Sequence, residues 1–129
     1  MNYGQTTDVY ASGYTRSRVH LSNLYPMEKR RLIVHYNGLL QPEEVIVSAR
    51  INMFVPSSVL MSDAEISEDG KDVSVLVQAS YAGRISIRVQ ATTDSGNVYP
   101  QLCAFRVLRG PWYNDPYPAI GPSQLEVFA

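Results

Sequence analysis

Apolar side chains at every second position, in run after run, limit what this chain can fold into more than any other feature. Val45, Val47, Ala49, Ile51, Met53 and Val55 alternate with Ser48, Arg50 and Asn52. Successive side chains of an extended strand point to opposite faces, so this spacing loads one face with apolar groups. A helix would scatter the same residues round its axis. Val73, Val75, Val77 and Ala79 repeat the pattern opposite Ser74, Gln78 and Ser80. Ile85, Ile87, Val89 and Ala91 repeat it opposite Arg84, Ser86, Arg88, Gln90 and Thr92. Cys103, Phe105 and Val107 form a further run with Arg106 facing the other way. RRLIVHY at 30–36 and a weaker segment at 58–66 bring the candidate strands to six.

The residues between the runs agree. Glu68-Asp69-Gly70-Lys71 places Asp-Gly between two strands, a hairpin signal because glycine takes a positive φ without penalty. Ala82-Gly83 and Asp94-Ser95-Gly96-Asn97 fill the next two junctions, and Asn37-Gly38 follows the first strand. Pro100 lacks the N–H a ladder needs, so its strand must lie at an edge or break into a bulge there. Pro56 ends the strand that starts at Glu44. No helical segment separates the strands, which excludes parallel α/β architecture for want of crossovers. The expected class is all-β: an antiparallel β-sandwich, immunoglobulin-like or jelly-roll-like, with a small barrel as the other option.

Composition sets the boundaries. The 129 residues make one domain's worth, and 45% hydrophobic content sustains a packed core. Periodicity is concentrated in 30–109, the expected sandwich. Residues 1–29 and 110–129 lie outside it and are expected to be extended arms. Residues 110–122, GPWYNDPYPAIGP, hold four of the eight prolines. No apolar stretch approaches the roughly 20 residues that span a bilayer as a helix, and Met1 to Tyr14 is too polar for a secretory leader. A lone cysteine, Cys103, forms no internal disulfide and suits a reducing compartment.

Residue types that carry chemistry are sparse. His20 and His35 show no metal-ligand spacing with each other, with Cys103 or with a carboxylate. Cys103 sits between Leu102 and Phe105 on an apolar run, where a small buried side chain is expected rather than a nucleophile. Asp63, Glu65, Glu68, Asp69 and Asp72 could suggest calcium, but their spacing does not match the twelve-residue calcium loop and Lys71 stands among them. A solvated acidic hairpin that discourages edge pairing accounts for them better. Phosphate-cradling glycine motifs are absent. The expectation is a non-enzymatic protein with no catalytic residues, no cofactor and no metal.

The two ends say more. They hold six of the nine tyrosines, the only tryptophan and one of three phenylalanines. Disordered tails usually lack aromatics, whereas Tyr, Trp and Arg are enriched at interface hot spots. Residues 1–36 carry five basic side chains against Asp8 and Glu28, a net of +3, and the remainder is −4. That is weak for a nucleic-acid arm, and a basic arm on the acidic surface of a neighbouring subunit fits better. The interface candidates are Tyr3, Tyr10, Tyr14, Arg16, Arg18, Tyr25, Trp112, Tyr113, Tyr117 and Phe128. The competing expectation is that the arms fold back on their own sandwich and cover its edges.

The segment VSVLVQASYAGRISIRVQATTDSGNVYPQLCAFRVLRG (73–110) resembles small β-sandwich virion proteins of tailed bacteriophages. In those a short apolar strand leads through a glycine turn to I-x-I-x-V-x-A-T-T, a second glycine turn and a closing F-R-V. Ile85, Ile87, Val89, Ala91, Thr92 and Thr93 match the first part, and Ser95-Gly96 with Phe105-Arg106-Val107 match the second. IVSARI at 46–51 is similar to the preceding strand, so the resemblance covers about 65 residues, from 45 to 110. It implies a virion structural protein assembled in the host cytoplasm, in the first place a capsid decoration or cement protein. A tail or fibre-attachment component is the nearest rival, and a carbohydrate- or receptor-binding sandwich is the rival from another class. The implied partners are the major capsid protein or tail components, together with further copies of the chain, a closed trimer among the options. A membrane is not expected, and nucleic acid is not the favoured partner.

Overall fold

Nine strands account for nearly all the regular structure in a computed structural model that describes residues 5–11, 19–20, 23–24, 28–53, 59–79, 83–108 and 124–129. They are β1 (Gln5–Tyr10), β2 (Val19–His20), β3 (Lys29–His35), β4 (Ile46–Met53), β5 (Val59–Ile66), β6 (Asp72–Ala79), β7 (Gly83–Thr93), β8 (Val98–Val107) and β9 (Gln124–Phe128). Two sheets form, a four-stranded one in the order β1-β3-β6-β5 and a five-stranded one in the order β2-β8-β7-β4-β9. The all-β sandwich expected from the alternation is the fold. All six runs read from the sequence are strands.

The pairings among β3 to β9 are all antiparallel, and the parallel ones belong to the N-terminal segment. β1 lies parallel to β3 from Gln5↔Arg30 to Tyr10↔His35, and β2 parallel to β8 at Val19↔Cys103 and His20↔Ala104. The chain between β1 and β3 visits the opposite sheet, which supplies the long connection that parallel neighbours need. The sheets therefore reach beyond residues 30–109: most of the described residues of both arms lie in strands. In β1 the inward Val9 is 1% exposed, and in β9 Leu125 and Val127 pack against the core. These short alternations buried too few side chains to stand out from their polar surroundings.

The turns behave as their glycines require. β5 and β6 form a hairpin in which Gly70 has φ +70°, and a Cβ there would meet Val45 Cβ at 2.8 Å. β7 and β8 form the second hairpin, with Gly96 at φ +85°. The junction at Gly83 is different: β6 and β7 lie in opposite sheets, so the chain crosses over there. Pro100 pairs with Gln90 in an unbroken ladder, at a level of β8 that β2, paired only at Cys103 and Ala104, does not reach. That is an edge position, one of the two places open to a strand proline.

The core lies between the sheets. Leu32 and Val34 of β3 and Val73, Val75 and Val77 of β6 face Ile51, Ile85, Ile87, Val89 and Phe105 of the other sheet. Tyr36, fully buried, donates its hydroxyl proton to the Val89 carbonyl at 3.0 Å and so ties the two sheets together. The Cys103 side chain is buried in the same core. Burial pushes its thiol up to about 12, the environment of an inert packing residue.

Candidate interaction surfaces

With most inward positions filled by apolar groups, chemistry is left largely to the outer faces, the sheet edges and the turn end. On the outer face of the four-stranded sheet three neighbouring strands contribute one cluster. His35 of β3 places Nδ1 2.9 Å from Asp72 Oδ1 of β6 and Nε2 2.8 Å from Asp8 Oδ1 of β1. Tyr10 of β1 stacks on the imidazole, with ring centroids 4.6 Å apart and 14° between planes. Partial burial works against the charged imidazole, but the hydrogen bonds and charges of Asp8 and Asp72 outweigh it and raise the His35 pKa above its ordinary value. Both ring nitrogens then act as donors, and the cluster fastens β1 to the sheet. Asp8 and Asp72 do this work alone among carboxylates; among the described residues no group of three or more His, Cys, Asp or Glu could hold a metal ion.

The acidic residues of the β5–β6 hairpin are dispersed. A bulge between Ser62 and Glu65 puts Asp63 at φ +57°, and Arg31 donates to its carbonyl at 2.8 Å and its carboxylate at 3.2 Å. Asp69 accepts from the Ser67 hydroxyl and the Lys71 amide, which hold its carboxyl below the usual range. Asp72 belongs to the His35 cluster.

At the end of the sandwich where the turns gather, Glu44 joins three segments. Its carboxylate accepts from Thr93 Oγ1 at 2.6 Å, the Gln41 amide at 2.9 Å, Asn97 Nδ2 at 2.8 Å and the Tyr99 hydroxyl at 3.2 Å. These donors, Thr93 foremost, hold it down to about 2 although the residue is only 3% exposed. Lys71 Nζ donates to the Glu44 carbonyl at 2.6 Å. This residue was missed in the sequence because its partners lie about fifty positions away.

The outer face of the five-stranded sheet carries Arg84, Ser86, Arg88, Gln90 and Thr92 from β7, Arg106 from β8 and Arg50 from β4, following the pleat. Arg50 is bound to Glu126 of β9 at 2.6 Å. Beside that pair Ser48, Gln90, Thr92 and Phe128 line an open basin of about 310 Å³. Phe128 is 71% exposed at the sheet edge.

Of the interface residues expected from the sequence, two are described. Tyr10 and Phe128 are both exposed, the first stacked on His35 and the second beside the basin. They lie on different sheets. Tyr3, Tyr14, Arg16, Arg18, Tyr25, Trp112, Tyr113 and Tyr117 lie outside the described residues. Part of the basic N-terminal segment belongs to the sheet itself. Arg30 and Arg31 are buried in β3, where Arg30 binds Glu28 at 3.0 Å and the Thr7 hydroxyl at 3.3 Å, and Arg31 binds Asp63. Guanidinium groups at such depth need carboxylate and hydroxyl partners within the chain, and they have them.

No protein-family model matches this chain, and no curated protein matches it in sequence. Among solved structures it is similar to the cysteine protease inhibitor EhICP2 from Entamoeba histolytica, with a TM-score of 0.49 and 9% identity over 81% of this chain and 96% of that one. It is also similar to the solution structure of Amebosin, with a TM-score of 0.35 and 12% identity over 78% of this chain and 97% of that one. At these values neither likeness carries an argument about what the chain does.

Proposed function

We propose that the chain is a non-enzymatic structural protein of a bacteriophage virion, a decoration or cement protein that binds the capsid shell in many copies. The observation that carries this reading is the placement of β1 and β9. Each terminal strand forms the edge of a sheet and each bears a largely exposed aromatic residue, Tyr10 at 68% and Phe128 at 71%. An exposed strand edge can accept a strand from a neighbour, and an aromatic side chain beside it can fill that neighbour's pocket. Many such contacts made at once give firm attachment from individually weak sites. The virion context comes from the resemblance over residues 45 to 110, whose two motif parts fall on β7 and on the turn and β8 that pair with it. A tail or fibre-attachment component would use the same edges.

The basin supports a second reading, a carbohydrate-binding sandwich. Arg50 and Glu126 hold each other in place beside Gln90 and Thr92, and Phe128 stands at the rim as a stacking surface for a sugar ring.

The test is composition of the particle. Virions produced from the genome that encodes this chain would be purified and their proteins quantified by mass spectrometry. The expected result is many copies per particle, accessible to antibody on intact heads. Absence from purified particles overturns the proposal, and tight binding to a glycan by the isolated protein would favour the second reading.

A further inference from the structure

One pairing in the five-stranded sheet runs against the interests of the fold. Arg84 of β7 lies directly opposite Arg106 of β8, both side chains on the outer face and both exposed. Like charges facing each other across a strand pair destabilise it. Among the described residues neither guanidinium meets a carboxylate, and Arg88 adds a third positive charge on the same face one pleat repeat beyond Ser86. Packing does not require arginine at an exposed outer position, so this local conflict points to a partner beyond the described residues.

The complement lies at the opposite end of the same molecule. Arg84 and Arg106 stand where β7 begins and β8 ends, whereas the turns at 41–45, 67–71 and 93–97 gather at the far end of both sheets, held by Ile46 N–Gly70 O and Asp94 N–Val45 O bonds. There Glu43, Glu68, Asp69 and Asp94 are all exposed. The lysine among them, Lys71, spends its ammonium on the Glu44 carbonyl. The described residues are thus polarised along the strands, with exposed carboxylates at one end and the facing Arg84 and Arg106 at the other.

We propose that the Arg84–Arg106 face of one copy docks the acidic turn end of a second copy, head to tail. Such a contact joins two different surfaces, so repetition produces a ring if the rotation closes and an open chain if it does not. Arginine suits the role, since its planar fork binds carboxylates bidentately. The inference rests on the assembly part of the proposed function and not on its virion part: a chain that self-associates yet is missing from particles would uphold the one and overturn the other.

Sedimentation velocity on the full chain at low and high salt tests it, with two charge-reversed variants, Arg84→Glu/Arg106→Glu and Glu43→Arg/Glu68→Arg. All four positions are exposed, and unchanged circular dichroism and melting would verify the fold of each variant. The wild type is expected to associate at about 20 mM salt and to dissociate at about 500 mM, where screening shortens the reach of charge to a few Å. Each variant alone should be monomeric, and an equimolar mixture should associate again, because one then carries acidic groups where the other carries basic ones. A monomeric wild type at low salt and millimolar concentration overturns the proposal. So does association that survives either reversal, or a mixture that stays monomeric. Binding of a fluorescent oligonucleotide that is lost in Arg84→Glu/Arg106→Glu, without any self-association, would overturn it in favour of a nucleic-acid surface.

Discussion

Replacing Gly70 and Gly96 by alanine, one at a time, separates two reasons why a turn needs glycine. Both have positive φ, +70° and +85°, so alanine at either meets the left-handed penalty of about 1–2 kcal/mol. Part of it is recovered because alanine restricts the unfolded chain, by about 0.4–1 kcal/mol. At Gly96 nothing lies within 4 Å of the new Cβ, so the net cost should be about 0.5–1.5 kcal/mol. At Gly70 the new Cβ meets Val45 Cβ at 2.8 Å and Val45 Cγ1 at 3.2 Å. Val45 is one residue from Ile46, whose amide donates to the Gly70 carbonyl at 2.9 Å, so the strain falls on the join between the two sheets. Overpacking of this kind adds about 1–3 kcal/mol, which brings Gly70→Ala to roughly 2–4 kcal/mol. Urea unfolding followed by far-UV circular dichroism would measure both, with the m-value checked for constancy. Equal losses at the two positions would refute the reasoning, because the approach of Val45 would then have no energetic weight.

Two further outcomes follow from the ionisable groups. The His35 pKa is raised in the fold, so the clasp on β1 should be fully present below about pH 6.5, the unfolded value, and lost as pH rises through the folded pKa. Amide exchange in β1, corrected for its intrinsic pH dependence, should therefore lose protection on the alkaline side, and His35→Gln should abolish the change; a flat profile in the wild type would contradict the clasp. Cys103 should resist iodoacetamide at pH 8 in the native protein and react once urea exposes it, as intact mass would report.

Alternation is a local property, and it determined the all-β class and the six strands between residues 30 and 107, because period-2 spacing needs nothing but the chain itself to be seen. Turn chemistry was equally legible at Gly70 and Gly96, where the backbone demands glycine. The terminal strands were not. β1 presents Thr7 and Val9 inward among polar neighbours, and only its docking beside β3 makes that face worth burying. Parallel pairing, likewise, has no local signature, since it depends on where an intervening segment travels.

The surfaces depended still more on register. Arg84 and Arg106 could each be assigned to an outer face from their own strands, but their direct opposition exists only once β7 and β8 are aligned. The Asp8–His35–Asp72 cluster needs three strands, and the four donors to Glu44 come from a turn, a strand end and a hairpin. Electrostatic and hydrogen-bond energies fall off over a few Å. Residues far apart in the chain come within that range only through the tertiary fold, so the sequence by itself determined which side chains face out and the structure decided which of them act together.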